Sequence, residues 1–145
     1  MPHRDINLLG ILVAGIAPMI IGMLWYSPVM FARKWMALIG KSEEEIRKGG
    51  VAKAYVVSFI ASLVMAYALD YFMFYAGAWS VMKGIKLGIA LWIGFVATTS
   101  LAPVVYEGRP LGLYLINAGY NLVCLVIMGA IIGGLMLDPT VSSVQ

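Results

Sequence analysis

Hydrophobic residues run along the chain in four long stretches that short polar segments separate. The stretches cover about residues 6–27, 51–74, 84–106 and 111–137. An α-helix of about 20 residues crosses the roughly 30 Å hydrocarbon core of a bilayer. We therefore predict an all-α integral membrane protein, with four transmembrane helices in a single domain over residues 1–145.

The first stretch ends in a pattern typical of a helix that leaves the membrane. Aromatic residues and a helix-stopping proline, Trp25-Tyr26-Ser27-Pro28, precede the cationic residues Arg33 and Lys34. A similar pattern at residues 102–109 ends the third stretch. Two such exits are compatible with a duplicated helical hairpin. They are equally compatible with chance, since these residue types gather at the ends of many membrane helices.

Residues 29–50 form the longest polar segment of the chain. Apolar residues, Trp35 among them, recur there at helical spacing opposite Arg33 and Lys34. This pattern predicts a short amphipathic helix that lies in the membrane interface at about residues 29–39.

Two short polar motifs predict a helix start and a turn. Ser42 and Glu45 have the spacing of a capping box, in which each residue satisfies a backbone N–H at a helix start. Glu107-Gly108-Arg109-Pro110 predicts a tight turn, with glycine for backbone freedom and proline to begin the next helix. Glu107 and Arg109 are accordingly candidates for turn and headgroup contacts.

Basic residues are distributed unevenly between the two membrane faces. Segments 28–53 and 107–110 hold seven of the ten Lys and Arg residues, and the termini with the 75–86 loop hold three. Because cytoplasmic loops carry the excess of Lys and Arg, we expect residues 28–50 and 107–110 to be cytoplasmic. Both termini would then face outward from the plasma membrane. The basic 33–53 segment is expected to contact anionic lipid headgroups.

The composition supports a membrane protein and argues against several kinds of functional site. Hydrophobic residues make up 62% of the chain and charged residues 12%, whereas soluble domains carry about 25% charged residues. Cys124 is the only cysteine and His3 the only histidine, so neither a disulfide framework nor a histidine-based metal site or catalytic triad is supported. The net charge of +3 is too small for nucleic-acid binding. We predict no enzyme activity, catalytic residue, metal or cofactor.

Small residues recur at every fourth position in the last three spans. They are Ala54, Ser58, Ser62 and Ala66 in the second span, Gly84 and Gly88 and then Ala90, Gly94, Thr98 and Ala102 in the third, and Gly129 and Gly133 in the fourth. Such ridges predict close helix packing, since lipid gives helices no hydrophobic reason to associate. Four helices need fewer ridges than these, so we expect a homo-oligomer.

The fourth span carries three polar residues on one face: Asn117, Tyr120 and Asn121. An amide in hydrocarbon needs a partner, because an unmatched one costs several kcal/mol. Candidate partners on other spans are Ser62, Thr98 and Thr99. The face is therefore either a small polar pocket or a set of interhelical hydrogen bonds.

Asp70 is the one acidic residue expected within the hydrocarbon, about one helical turn from the outer surface. An intramembrane acid is by default a candidate for function. Lys83 or Lys86 is near enough in the predicted topology to pair with it. The alternatives are a structural ion pair and a role in proton or cation movement.

Several motifs together resemble a known family. They are Trp25-Tyr26-Ser27-Pro28 followed by Trp35-Met36, then Gly94-Phe95-Val96-Ala97-Thr98-Thr99, Glu107-Gly108-Arg109-Pro110-Leu111 and Ile116-Asn117-Ala118-Gly119-Tyr120. The chain resembles the family catalogued as domain of unknown function 1761 over nearly its whole length. The resemblance implies a small four-span membrane protein with no assigned activity.

Two functions follow from these features. The first is a non-enzymatic membrane component that self-associates and binds lipid or a partner protein. The second is a small-solute transporter or channel built from several chains, with Asp70 or the Asn117/Tyr120/Asn121 face along its path. The architecture resembles the small multidrug exporters, but those depend on an acid within the first span, and residues 6–27 contain none.

Overall fold

A computed structural model describes residues 6–136, and every regular element in that range is helical. The helices are α1 (Leu8–Trp25), α2 (Ala32–Ile39), α3 (Glu43–Lys48), α4 (Val51–Tyr75), α5 (Val81–Leu91), a π-helical segment (Trp92–Ala97), α6 (Ala102–Tyr106) and α7 (Leu111–Leu135). Four helical spans are long and apolar enough to cross a membrane: α1, α4, the composite Val81–Tyr106 and α7. The predicted all-α, four-span architecture is confirmed. The predicted limit of the fourth span at residue 137 and the two chain termini lie outside the described residues.

Helix α7 is the centre of the bundle. It packs along α5 on one side and along α1 on the other, and α1 in turn packs along α4. The α5–α7 approach is the closest, because Gly84 and Gly88 face the backbone of Gly129 and Leu125. A Cβ added at Gly84 would collide with the Gly129 carbonyl oxygen. The predicted glycine ridges therefore meet within one chain.

The third span is not one continuous α-helix. The π-helical segment separates α5 from α6, and Pro103 occupies the first turn of α6. Gly84 and Gly88 are the only buried residues of this span, whereas α7 has eight. Most residues of the third span are therefore exposed or only partly buried. The sequence pattern did not predict its division.

Helix α1 contains Pro18, which has no N–H to donate to the carbonyl four residues earlier. Neighbouring helices donate to backbone carbonyls in this region. The Ser62 hydroxyl of α4 donates to the Gly15 carbonyl at 2.6 Å, and the Tyr120 hydroxyl of α7 donates to the Pro18 carbonyl at 2.8 Å. These bonds join α1 to α4 and α7 beside the proline, although neither acceptor is the Ala14 carbonyl that Pro18 leaves without its helical partner.

The polar segment folds into two short helices at the end of the bundle that holds the C-terminus of α1 and the N-terminus of α7. We call this the basic end. The predicted amphipathic helix is α2, which begins at Ala32 and ends at Ile39. Its C-cap is Gly40, with a left-handed φ of 66°. Its Leu38 side chain packs beside Gly112 of α7. Helix α3 begins with the predicted capping box of Ser42 and Glu45.

Candidate functional site

Aromatic side chains fill the junction between α1, α2 and α7 at the basic end. Tyr26 lies between Trp35, whose ring centroid is 5.3 Å away, and Tyr120, at 5.4 Å. Trp25 packs on the other side of Tyr120. We call Trp25, Tyr26, Trp35 and Tyr120 the aromatic cluster. It holds α2 against the two spans.

The polar atoms of this cluster bond across the helices. The Tyr26 hydroxyl donates to the amide oxygen of Asn117 at 2.9 Å, while the Tyr120 hydroxyl is engaged with Pro18 as described above. Gly22 leaves the room for Tyr120, since a Cβ there would lie 3.3 Å from its hydroxyl oxygen. Asn117 and Tyr120 therefore both form interhelical hydrogen bonds to α1 or its C-terminal cap, the partners being Tyr26 and a backbone carbonyl.

Two indole rings bind the backbone of α7 from opposite sides. The Trp25 indole N–H donates to the Ile116 carbonyl at 3.1 Å, and the Trp92 indole N–H donates to the Ala118 carbonyl at 2.8 Å. Gly119 allows Trp25 to approach, because a Cβ there would lie 3.3 Å from the ring. Residues 116–120 thus join the first span to the third.

The remaining candidates of the polar face lie elsewhere. Ser62 is buried between α4 and α1. Thr98 and Thr99 are exposed, and their hydroxyls donate to the carbonyls of Gly94 and Phe95 in their own helix. Asn121 is partly buried on α7. The structure brings Asn117 and Tyr120 together with Tyr26, and it does not bring Ser62 or the two threonines to them.

Asp70 lies in the core near the opposite end of the bundle. It is 1% exposed and has Leu69 and Met73 as buried neighbours on α4. The Lys83 ammonium donates to the Gly77 carbonyl at 3.1 Å. Lys83 also lines a cavity of about 330 Å³ with Lys86. Both alternatives for Asp70, ion pairing and ion movement, stay predictions.

A second cavity, of about 190 Å³, lies at the basic end between α6 and α7. It is lined by Ser100, Pro103, Val104, Arg109, Leu113, Tyr114 and Asn117. We call it the Arg109 cavity. The Arg109 side chain forms a 2.7 Å ion pair with Glu107 within the predicted turn. Ser27 lies apart from this turn and caps α1 by donating to the Leu24 carbonyl at 2.6 Å.

Sequence reasoning singled out neither Tyr114 nor Trp92. Tyr114 donates to the Ala97 carbonyl at 3.1 Å and ties the π-helical segment to α7. The available signal was spacing, since Tyr114 precedes Asn117 by three residues and belongs to the same helical face. Trp92 offered no such signal, because a tryptophan in a span packs against lipid as readily as against protein.

A comparison with protein families matches residues 9–133 to the family described as a protein of unknown function, DUF1761. No curated protein and no solved structure matches the chain. The matched range includes the aromatic cluster, the Arg109 cavity and the four spans, except for the first residue of α1 and the last two residues of α7. The chain belongs to the DUF1761 family, as a multi-pass membrane protein with four spans.

Proposed function

We propose that this protein is a non-enzymatic component of the plasma membrane that self-associates through its third span and binds anionic lipid at its basic end. The observation that carries the proposal is the outward small-residue ridge of that span. Ala90, Gly94, Thr98 and Ala102 are all exposed, and a Cβ added at Gly94 would meet nothing within 4 Å.

The third span has two small-residue ridges, of which one is buried against α7 and the other is exposed. Gly84 and Gly88 are buried against α7, whereas the ridge from Ala90 to Ala102 has no partner helix among the described residues. In lipid, small side chains favour association because they let two backbones approach closely. The Thr98 hydroxyl is already bonded to its own helix, so this ridge presents a compact surface suited to another helix.

Lipid contact is supported by the charges at the basic end. Exposed basic residues of α2 and α3 and of the intervening segment line this end: Arg33, Lys34, Lys41, Arg47 and Lys48. Each basic residue near an anionic bilayer surface contributes about 1 kcal/mol of attraction. We place this end at the cytoplasmic leaflet, following the distribution of Lys and Arg.

The test is energy transfer between donor- and acceptor-labelled copies in liposomes. We expect Ala90→Leu, on the ridge, to lower the transfer, because the larger side chain separates the two backbones. Ala61→Leu is the matched control, since Ala61 is exposed on α4, away from the ridge. Wild-type copies that show no transfer above random mixing, or equal effects of the two variants, would refute self-association through this face.

A small-solute transporter is the second candidate, and the burial of Asp70 favours it. An acid that is 1% exposed within a membrane span is an uncommon and costly feature. If Asp70 serves transport, Asp70→Asn should abolish a proton- or cation-coupled flux in proteoliposomes while the protein stays folded. Fluxes that Asp70→Asn leaves unchanged would remove this candidate.

A further inference from the structure

We infer that the Arg109 cavity binds a single phosphate-bearing anion, the headgroup of an anionic lipid or free phosphate. This inference deepens the lipid-binding part of the proposed function and is independent of self-association. It places a discrete site on α6 and α7, separate from the general attraction of the basic α2–α3 segment.

The cavity presents hydrogen-bond donors and the guanidinium of Arg109, which is paired on one side with the Glu107 carboxylate. The Tyr26 hydroxyl occupies the amide oxygen of Asn117, so the amide NH₂ is the part of that group left to donate. The Arg109 Nε is bonded to Glu107, which leaves the two terminal amino groups of the guanidinium. Ser100 adds a hydroxyl to the lining. A guanidinium with neighbouring neutral donors is the arrangement that recognises phosphate.

The backbone around the cavity holds Arg109 in place. The Pro103 carbonyl accepts from the N–H groups of both Glu107 and Arg109, at 3.1 and 3.3 Å. Gly108 makes this return possible with a left-handed φ of 65°. The backbone of Arg109 is therefore fixed by a closed turn, and the Glu107 carboxylate holds its Nε.

The surroundings add to the positive potential. Helix α7 begins at Leu111, and its N-cap residue Pro110 provides no side-chain hydrogen bond. The N-terminal end of the helix carries the positive pole of the helix dipole. The Lys34 side chain of α2 lies beside Gly112 in the same first turn. Among the described residues, the lining contains no acidic side chain, but the Glu107 carboxylate that is bonded to the Arg109 Nε offsets part of the guanidinium charge. The helix end and the nearby Lys34 side chain supply the further attraction for an anion.

The size and walls of the cavity suit a headgroup at the membrane surface. One water molecule needs roughly 10–15 Å³ of such a space, so 190 Å³ is ample for one phosphate group. Pro103, Val104 and Leu113 form apolar walls, and the neighbouring Val105 is 73% exposed. Basic pockets between spans on this side of a membrane are known binding places for anionic headgroups.

The experiment is native mass spectrometry of the full-length protein titrated with phosphatidylglycerol or phosphatidylcholine in detergent. We expect the wild type to retain one phosphatidylglycerol in preference to phosphatidylcholine. Arg109→Gln should weaken this retention about tenfold, as the loss of one charge-assisted hydrogen bond predicts. Ser100→Ala, which leaves the turn intact, should weaken it in the same direction.

Lys86→Gln is the matched control, because it removes one exposed positive charge at the opposite end of the bundle, away from the basic residues proposed to contact lipid. Equal loss in Lys86→Gln and Arg109→Gln, or no preference for phosphatidylglycerol in the wild type, would overturn the site. Inorganic phosphate distinguishes the two sources of the anion. Displacement of the lipid by phosphate alone assigns a soluble ligand, and lipid retention in excess phosphate assigns the headgroup. We expect Ala90→Leu, which should weaken self-association, to leave phosphatidylglycerol retention unchanged. That result would show that lipid binding at the cavity does not depend on self-association.

Discussion

At the scale of single residues, the Tyr26–Asn117 bond is the clearest polar contact between α1 and α7. The bond is 2.9 Å long and partly buried, and the Tyr26 ring that carries the hydroxyl packs against Trp35 and Tyr120. Tyr26→Phe removes only the hydroxyl. We expect it to destabilise the folded protein by about 1 kcal/mol, the range found for interhelical hydrogen bonds in membranes. Reversible unfolding in bicelles or mixed micelles measures the change.

Tyr106→Phe is the control for that measurement. Tyr106 is 88% exposed at the same end of the bundle, so loss of its hydroxyl should leave the unfolding free energy unchanged. Equal destabilisation by the two variants would show that the Tyr26 hydroxyl has no special partner.

The polar residues show what the sequence could predict and what it could not. The need of Asn117 for a partner followed from the cost of an unmatched amide in hydrocarbon. The identity of its partner could not be predicted in the same way. Tyr26 is an aromatic residue at a helix exit, and aromatic residues at the membrane interface need no protein contact. The threonines were expected to reach Asn117, yet a threonine in a helix can satisfy its hydroxyl on a preceding carbonyl of its own helix, and Thr98 does so with Gly94.

At the scale of elements, the two faces of the third span should respond differently to the same substitution. A Cβ at Gly84 would collide with the α7 backbone, whereas a Cβ at Gly94 would meet nothing within 4 Å. We expect Gly84→Ala to destabilise the fold by roughly 1–3 kcal/mol through overpacking. Gly94→Ala should leave the fold intact or stabilise it slightly, since alanine favours helix. The same unfolding assay compares them, and a larger cost at Gly94 would contradict the packing.

The capping box of α3 makes a pH-dependent prediction. The Ser42 N–H donates to the Glu45 carboxylate at 2.8 Å, and this bond, with the Ser42 hydroxyl, lowers the pKa of the Glu45 carboxyl. A lowered folded-state pKa means that the cap is complete at neutral pH and is lost as the pH falls through that pKa. The Ser42 amide resonance in nanodiscs should follow this transition. Glu45→Gln, which keeps an amide oxygen as acceptor, should abolish it.

The helices were predictable as elements because apolar length alone defines a span. The interruption of the third span was not, since the residues of its π-helical segment, Trp92–Ala97, have the same apolar character as an ordinary helix. What distinguishes this segment lies on another helix. Trp92 and Ala97 each bond to residues of α7, and those contacts exist only once the bundle has formed.

At the scale of the whole molecule, the small-residue ridges predicted close helix packing, but they did not identify which helix packs against each ridge. Gly84 could have met a ridge of its own chain or of another. The fold uses it against Gly129 and leaves the ridge of Ala90 and Gly94 outward. The central position of α7 determines which ridge is buried within the chain. The spacing of small residues within one span does not predict that position.

The orientation of the molecule gives the last prediction. Most basic residues lie at the end that holds α2, α3 and the 107–110 turn, so this end should face the cytoplasm. In a Cys124→Ala background, a membrane-impermeant maleimide should label Ala76→Cys in intact cells. It should label Glu44→Cys only after permeabilisation. Both positions are exposed in the structure, so a difference in labelling reports the side of the membrane. The reverse pattern would place the Arg109 cavity on the outer leaflet and exclude a cytoplasmic anion as its ligand.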